Sequence, residues 1–439
     1  MLGLVFGFAH FVTCLAWLNE VGFGAGVVLA LICSLFPAVW YVLCVDFARL
    51  FYIQGMTEVV PHSILPSVRK RPKPFPRLRL AKLEMAAVIL VPAVWVGVEW
   101  IRSWFMTGFP WNLAGVSQWQ QLWLLPLTRY TGVYGISFLV LAANVAVALW
   151  IKQSVLTSEK IGVRRWLPLL AVVALVAIPA GLYLTDNEKP RSKVSLQTGV
   201  VQGKIPQDPV YSEERFNTAL NVYTMYTSQM VKSNPELDVV IWPETPVPAA
   251  LRYNEEYYTA VRRLMDEVRT PLLIGSIDYQ RYRKVASGGD QQVSAESGQV
   301  SRKAYNAVFL LNRQAQIQQQ YRKMHLVPFG EYVPGENLWP WVTDVLPLGE
   351  GLTPGKEYTL FRLAPQIHAG VNICYEDVFS GISRNFAKKG ANLLVTVTND
   401  AWYGRSAGPR QPMIHAVFRA VENRRPLVRV GNNSYSCVV

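Results

Sequence analysis

Charge is scarce in this sequence. Of its 439 residues only 17% are Asp, Glu, Lys or Arg, against 51% apolar, whereas soluble proteins carry about a quarter charged residues. The shortage excludes a disordered or polyelectrolyte chain and places part of the protein in lipid. Cysteine is scarce too: five residues, too few and too scattered for a disulfide framework. Cys14, Cys33 and Cys44 lie in apolar runs and Cys437 lies close to the end, so only Cys374 has a chemically suggestive context. There is no CxxC pair, zinc-ligand spacing, Walker loop or GxGxxG opening a helix. The expectation is therefore no cofactor and no metal. Acidic residues are outnumbered, 30 against 43 basic, for a net charge of +13. Such a balance suits nucleic acid or a membrane surface, and the positions of the charges decide between them.

What is present in the first part of the chain is a series of long apolar runs: Leu2–Leu18, Gly22–Val45, Leu83–Trp100, Val133–Ile151 and Trp166–Leu184. Each is near the roughly 20 residues a membrane-crossing helix needs, which predicts five spans. Between the second and third stand Arg49, Arg69, Lys70, Arg71, Lys73, Arg77, Arg79 and Lys82; between the fourth and fifth stand Lys152, Lys160, Arg164 and Arg165. The positive-inside rule puts both loops in the cytoplasm. The Trp-rich segment Met106–Leu125 then reads as an interfacial hairpin on the opposite side, and everything after Thr185 as extracytoplasmic. Topology accounts for much of the positive charge, so the membrane, not nucleic acid, is the expected partner.

From about Ser192 the pattern changes. Short apolar runs at Val194–Val201, Val239–Trp242, Leu272–Ile277, Ala307–Leu311, Ala369–Ile373, Leu393–Thr398 and Leu427–Val430 predict strands. Glu213–Val231, Glu255–Val268, Ser380–Lys389 and Pro412–Asn423 predict helices. Alternation of this kind predicts a layered α/β domain. Arg281–Lys303, rich in Gly, Ser and Gln, reads as a loop or hairpin outside the core. The expected organisation is a membrane domain over 1–185 and an α/β domain over 186–439. Because Cys437-Val438-Val439 reads as part of a strand, the expectation is that the second domain is incomplete at its C-terminus.

Three strand ends carry possible chemistry. The buried run Val239–Trp242 leads through Pro243 into Glu244; a Glu there is commonly a solvated loop residue, but the fixed φ of Pro243 would aim it reproducibly. Lys323 is followed by an apolar, Pro- and Gly-punctuated segment that contains Glu331, either a partner for the lysine or a surface residue. Gly370–Ile373 delivers Cys374 to a turn before a helix, an arrangement like a nucleophile elbow, where nearby backbone N–H groups can stabilise an oxyanion. The competing reading of Cys374 is a buried structural thiol. His325, His368 and His415 lack an accompanying Asp or Asn arrangement, so a carboxylate is the more plausible base for the thiol.

Taken in order, Trp242-Pro243-Glu244-Thr245, the run Tyr321–Pro334 and Asn372–Asp377 resemble the nitrilase, or carbon–nitrogen hydrolase, superfamily. Thr398–Gly404, Arg424–Arg429 and Gly431–Ser434 extend the likeness. With the spans in front and Phe109-Pro110-Trp111 in the outward hairpin, the whole is similar to the apolipoprotein N-acyltransferase family. That family has more N-terminal spans and a final C-terminal span. The resemblance implies an αββα sandwich behind the membrane helices, in a multi-pass protein of the bacterial inner membrane. It also implies a Glu-Lys-Cys triad: Glu244 as general base, Lys323 stabilising thiolate and oxyanion, and Cys374 as nucleophile. Glu331, Tyr375 (through its backbone N–H) and Glu376 are the implied supporting residues. The implied donor is a phospholipid, the intermediate a thioester, and the acceptor the amine of a diacylglyceryl-modified apolipoprotein. The apolar stretch Asn337–Leu348 reads either as a core-covering loop or as a lid reaching into the bilayer interface, with Trp339, Trp341 and Leu346, and beyond it Trp402, as its candidate contacts. The alternative enzyme is a membrane-tethered nitrilase-type amidohydrolase. A transporter or receptor with a degenerate sensor domain is disfavoured, because no span carries a run of ionisable residues.

Overall fold

The structure is a computed structural model, and it describes residues 1–57, 77–156, 162–186, 194–206, 212–284, 290–292, 301–335, 351–404 and 406–439. The chain divides into two compact units, Met1–Asn187 and Glu188–Val439.

The first unit is helical: α1 (Leu2–Cys14), α2 (Ala25–Thr57), α3 (Arg77–Arg102), α4 (Val133–Ile151) and α5 (Leu167–Thr185). Four stretches, Ala25–Phe47, Lys82–Arg102, Val133–Val155 and Arg164–Thr185, are long and apolar enough to cross a membrane. The first expected span falls short. At 13 residues α1 rises about 20 Å, less than the roughly 30 Å of a hydrocarbon core, because the helix stops at Cys14 and the chain tightens into a 3₁₀ turn over Ala16–Glu20. Four of the basic residues between the second and third spans (Arg69, Lys70, Arg71 and Lys73), and Lys160, lie outside the described residues.

The Trp-rich segment Met106–Leu125 is held by the end of α3. Glu99 accepts from the Trp95 indole N–H at 2.9 Å and from the Ala114 N–H at 2.7 Å. Arg102 donates to the carbonyls of Phe109 and Trp111, each at 2.7 Å. Charged groups on an apolar helix thus find their partners in the backbone of a neighbouring loop, as burial requires.

The second unit has two sheets. In the first the order is β1 (Thr198–Val200), β2 (Val239–Ile241), β3 (Leu272–Lys284), β5 (Ser301–Leu311), β6 (Ile317–Arg322), with β4 (Asp290–Gln292) on the far end of β3. β1, β2 and β3 run parallel; β3, β5 and β6 form an antiparallel meander. The second sheet is ordered β11 (Cys437–Val438), β10 (Leu427–Gly431), β9 (Leu393–Thr398), β8 (Ile367–Ile373), β7 (Leu360–Ala364), parallel in the middle with antiparallel edges.

Burial explains the layering. Val239, Ile241, Val308 and Tyr321 of the first sheet form one core with Val371, Ile373, Val395 and Val428 of the second. Ile382 and Phe386 of α8 (Ser380–Lys388) and Ala416 and Ala420 of α9 (Arg410–Asn423) belong to it as well. The opposite face of the first sheet, with Val240, Leu272 and Phe309, packs on Phe216 and Tyr223 of α6 (Glu213–Ser233) and on Val261 and Leu264 of α7 (Glu255–Val268). Parallel strands buried on both faces have no polar side, hence the unbroken apolar runs. The result is an αββα sandwich. Side chains cap the first two helices: Ser212 accepts from the Arg215 N–H at 3.2 Å and Asn254 from the Tyr257 N–H at 2.8 Å.

Of the two readings of Arg281–Lys303, loop or hairpin, its described ends show the hairpin: β3 and β5 stay paired as far as Tyr282 and Ser301. Its polar residues pair across the strands: Arg302 lies over the Tyr279 ring at 4.9 Å and Lys303 over Tyr282 at 4.6 Å. Cation–aromatic contacts there replace the apolar alternation that marks a strand in sequence.

Candidate active site

Glu244 follows the fully buried strand β2 through Trp242 and Pro243, and the next residue, Thr245, has φ +40°. This turn leans directly on β3. A Cβ added at Gly275 would come within 2.5 Å of the Pro243 carbonyl oxygen and 2.8 Å of the Glu244 Cα, so only glycine admits the close approach. Lys323 comes directly after β6, and its N–H donates to the Asn306 carbonyl at 2.8 Å. Cys374 opens the 3₁₀ turn Cys374–Val378 at the end of β8, with φ +51°. A non-glycine residue in the left-handed region marks stored strain, and such positions cluster at functional sites.

The three residues lie on one cluster of charge. The Lys323 ammonium is 2.9 Å from Glu331 Oε1, 2.8 Å from Glu331 Oε2 and 3.8 Å from Glu244 Oε1. The Asn306 side-chain amide donates to Glu244 at 2.7 Å and to Glu331 at 3.0 Å. Glu331 also accepts from the Val327 N–H at 2.8 Å, and Glu244 from the Asn399 N–H at 2.8 Å. Burial would lower the Lys323 ammonium, but the carboxylates of Glu331 and Glu244 outweigh it and hold the lysine charged, above its usual range. Burial pushes Glu244 upward, Lys323 pulls it down, and the Glu331 charge pushes it up again.

Cys374 senses the same groups. Burial raises its thiol well above the ordinary range, the negative charge of Glu244 adds to this, and Lys323 opposes both. The expectation that the lysine favours the thiolate is thus outweighed at rest. Glu244 and Lys323 act on the Cys374 thiol in opposite senses.

Glu376 joins the two halves of the cluster. Its Oε1 accepts from the Tyr321 hydroxyl at 2.8 Å and from the N–H groups of Met324 at 2.7 Å and His325 at 3.1 Å; its Oε2 accepts from the Ile373 N–H at 2.8 Å. One buried carboxyl, pushed up by that burial to about 7, therefore ties the segment after Lys323 to the strand end that presents Cys374. Tyr375 is buried beside it, its ring 5.8 Å from His325, which itself packs on Phe379 at 3.7 Å. His325 is thus a packed loop histidine. Trp402 is 45% exposed on the 3₁₀ turn Asp400–Tyr403 after β9. Trp339, Trp341 and Leu346 lie outside the described residues. Among the described residues no group of three or more His, Cys, Asp or Glu could hold a metal ion.

Sequence reasoning missed two features. Asn306 sits just before the apolar run Ala307–Leu311 of β5, where one amide has no distinguishing signal. Behind the Cys374 turn, the Arg429 guanidinium lies 3.7 Å from Asp377 and 3.0 Å from Asp400, all three fully buried or nearly so. Asp400 also accepts from the Thr398 hydroxyl at 2.7 Å and from the Ser434 hydroxyl, and burial pushes Asp377 to about 7. An arginine in the middle of a predicted strand was the available signal for this cluster.

The profile of the carbon-nitrogen hydrolase family matches residues 197–438, the span of this sandwich. The profile described as apolipoprotein N-acyltransferase N-terminal domain matches residues 1–146. The apolipoprotein N-acyltransferase of Geobacter metallireducens is 32% identical over 358 residues, covering 81% of this chain and 64% of that one. That of Chlorobaculum tepidum is 31% identical over 415 residues, with 90% and 73% covered, and that of Nitrosomonas europaea 32% over 352 residues, with 80% and 64%. The chain belongs to the apolipoprotein N-acyltransferase family and is a membrane protein. Its matched part spans about two thirds of the length of these relatives.

Proposed function

We propose that this chain takes an acyl group from a membrane phospholipid onto Cys374 and passes it to the N-terminal amine of a diacylglyceryl-cysteine lipoprotein. Glu244 removes the thiol proton as the sulfur attacks the ester carbonyl. Lys323, held charged by Glu331, stabilises the oxyanion, with the Tyr375 N–H as a second donor. Collapse expels the lysophospholipid alkoxide, which takes the proton back from Glu244, and leaves a thioester. The acceptor amine then attacks that thioester, Glu244 receives a proton from the nitrogen and returns it to the departing thiolate, and an amide results.

The observation that carries this reading is Cys374, held at φ +51° in the turn that ends β8, under the charges of Glu244 and Lys323, which stand 3.8 Å from each other. Membership of the family supports the choice of donor and acceptor. The flanking Arg49, Lys152, Arg164 and Arg165 support, through the positive-inside rule, an inner-membrane protein whose residues after Thr185 work outside the cytoplasm. Residues 186–439 form the catalytic domain on this reading.

The test is intact-mass spectrometry of the full chain in phospholipid nanodiscs, followed by addition of a diacylglyceryl lipopeptide. The expected result is an acyl adduct on Cys374 that moves to the peptide amine, and no adduct with Cys374→Ala. An adduct that water discharges while the peptide stays unacylated identifies an amidohydrolase instead. A persistent adduct in the alanine variant rejects Cys374 as nucleophile.

A further inference from the structure

Two carboxylates, Glu244 and Glu331, share one ammonium in this site, and the sharing is unequal. Glu331 holds the Lys323 nitrogen at 2.8 Å and 2.9 Å, while Glu244 stands 3.8 Å away. The Asn306 amide nitrogen has two hydrogens, and it meets Glu244 at 2.7 Å and Glu331 at 3.0 Å. We infer that Asn306 is a positioning residue for the acylation step: its amide holds Glu244 oriented and apart from the Lys323–Glu331 pair, so that this carboxylate stays available as the base. The inference rests on the reading of Glu244 as general base.

The amide's other end supports this. Asn306 Oδ1 is buried with no hydrogen-bond donor among the described residues, an unfavourable state for a polar atom. The reversed amide would aim its oxygen at two carboxylates, so the need for a donor between two anions sets the orientation and leaves the oxygen orphaned. A neutral donor suits this position better than a cation or an acid. A second ammonium there would compete for Glu244, and an acid could hand it a proton. The same residue fixes the lysine backbone through its own carbonyl, which accepts from the Lys323 N–H at 2.8 Å.

The charged and titratable groups that act on Glu244 are Lys323 and Glu331 from the segment after β6, Cys374 from the turn after β8 and Tyr403 from the turn after β9. The Asn306 hydrogen bond lowers the Glu244 pKa. Removing it raises the pKa, so the fraction of enzyme with a free base at a given acidic pH falls.

The test is the single-turnover rate of Cys374 acylation by the full chain in phospholipid nanodiscs, followed by intact mass from about pH 5 to about pH 9. For Asn306→Ala the acid limb is expected to move up by about one pH unit, a loss of about tenfold below the limb that alkaline pH restores. Asn306→Ser, which keeps a single donor hydrogen, is expected to fall between. A loss equal at every pH, or an unmoved limb, overturns the inference, and so does failure of both variants to fold, which would make the role structural. Glu244→Gln in the same assay separates the two readings. If it still acylates Cys374, the base assignment itself falls. If it is inactive while Asn306→Ala keeps the native limb, only the role of Asn306 falls.

Discussion

Glu376 accepts four hydrogen bonds, three of them from backbone N–H groups on two separate segments. In Glu376→Gln an NH₂ group replaces one acceptor oxygen, leaving either the Ile373 N–H or the Met324 and His325 N–H groups facing a donor. A buried donor without a partner costs about 1–3 kcal/mol. The variant is therefore expected to unfold at lower temperature and to form the Cys374 adduct more slowly, read by a thermal melt and by intact mass. At this scale the sequence was informative where a residue closes a recognisable motif. Glu244, Lys323 and Cys374 each end a strand or follow one, and each is flanked by Pro, Gly or aromatic residues that set it apart. Glu331 and Glu376 could be named from the same motifs, but the connection that Glu376 makes is a matter of tertiary contact. Asn306 was illegible for that reason: it lies between Tyr305 and Ala307, at the edge of the apolar run that marks the strand in sequence.

The elements place these residues through close backbone approach. Gly275 on β3 is the clearest case, since the turn carrying Glu244 rests where its side chain would be. Gly275→Ala must displace either the β3 backbone or the Pro243–Glu244 turn. Overpacking of this kind costs about 1–3 kcal/mol. The expected outcome is a lowered melting temperature together with a loss of adduct formation larger than the loss of folded protein, measured on the same preparation. Element boundaries were legible where apolar content stops sharply: β9 at Leu393–Thr398 and α7 at Glu255–Val268 coincide with the sequence reading. β6, Ile317–Arg322, escaped notice because three consecutive glutamines give it no apolar alternation. The outer part of the β3–β5 hairpin could be read only as loop or hairpin, because its described pairing is made by arginine, lysine and tyrosine. At the other end of the chain, the 13 residues of α1 look like a span in composition and form a shorter apolar helix than the four long ones.

For the molecule as a whole, burial of carboxyls sets a pH dependence. Glu376 and Asp377 ordinarily titrate at 4.5 and 3.8, and in the folded chain both are pushed up to about 7. A carboxyl whose pKa is higher in the folded state binds its proton more tightly there. Its contribution is therefore greatest in acid, declines as pH rises from about 4 to about 7, and is flat beyond. The melting temperature of the second unit in the full chain is expected to fall between pH 5 and pH 7, and Asp377→Asn is expected to flatten that slope. A melting temperature that rises over this interval would contradict the assignment.

The order of the strands has a consequence for biosynthesis. Glu244 and Lys323 belong to the first sheet, and Cys374 to the second. On the proposed mechanism, a growing polypeptide makes Glu244 and Lys323 before Cys374, and the three meet only after one sheet has docked on the other. On that reading, unfinished chains are kept chemically silent by their own connectivity.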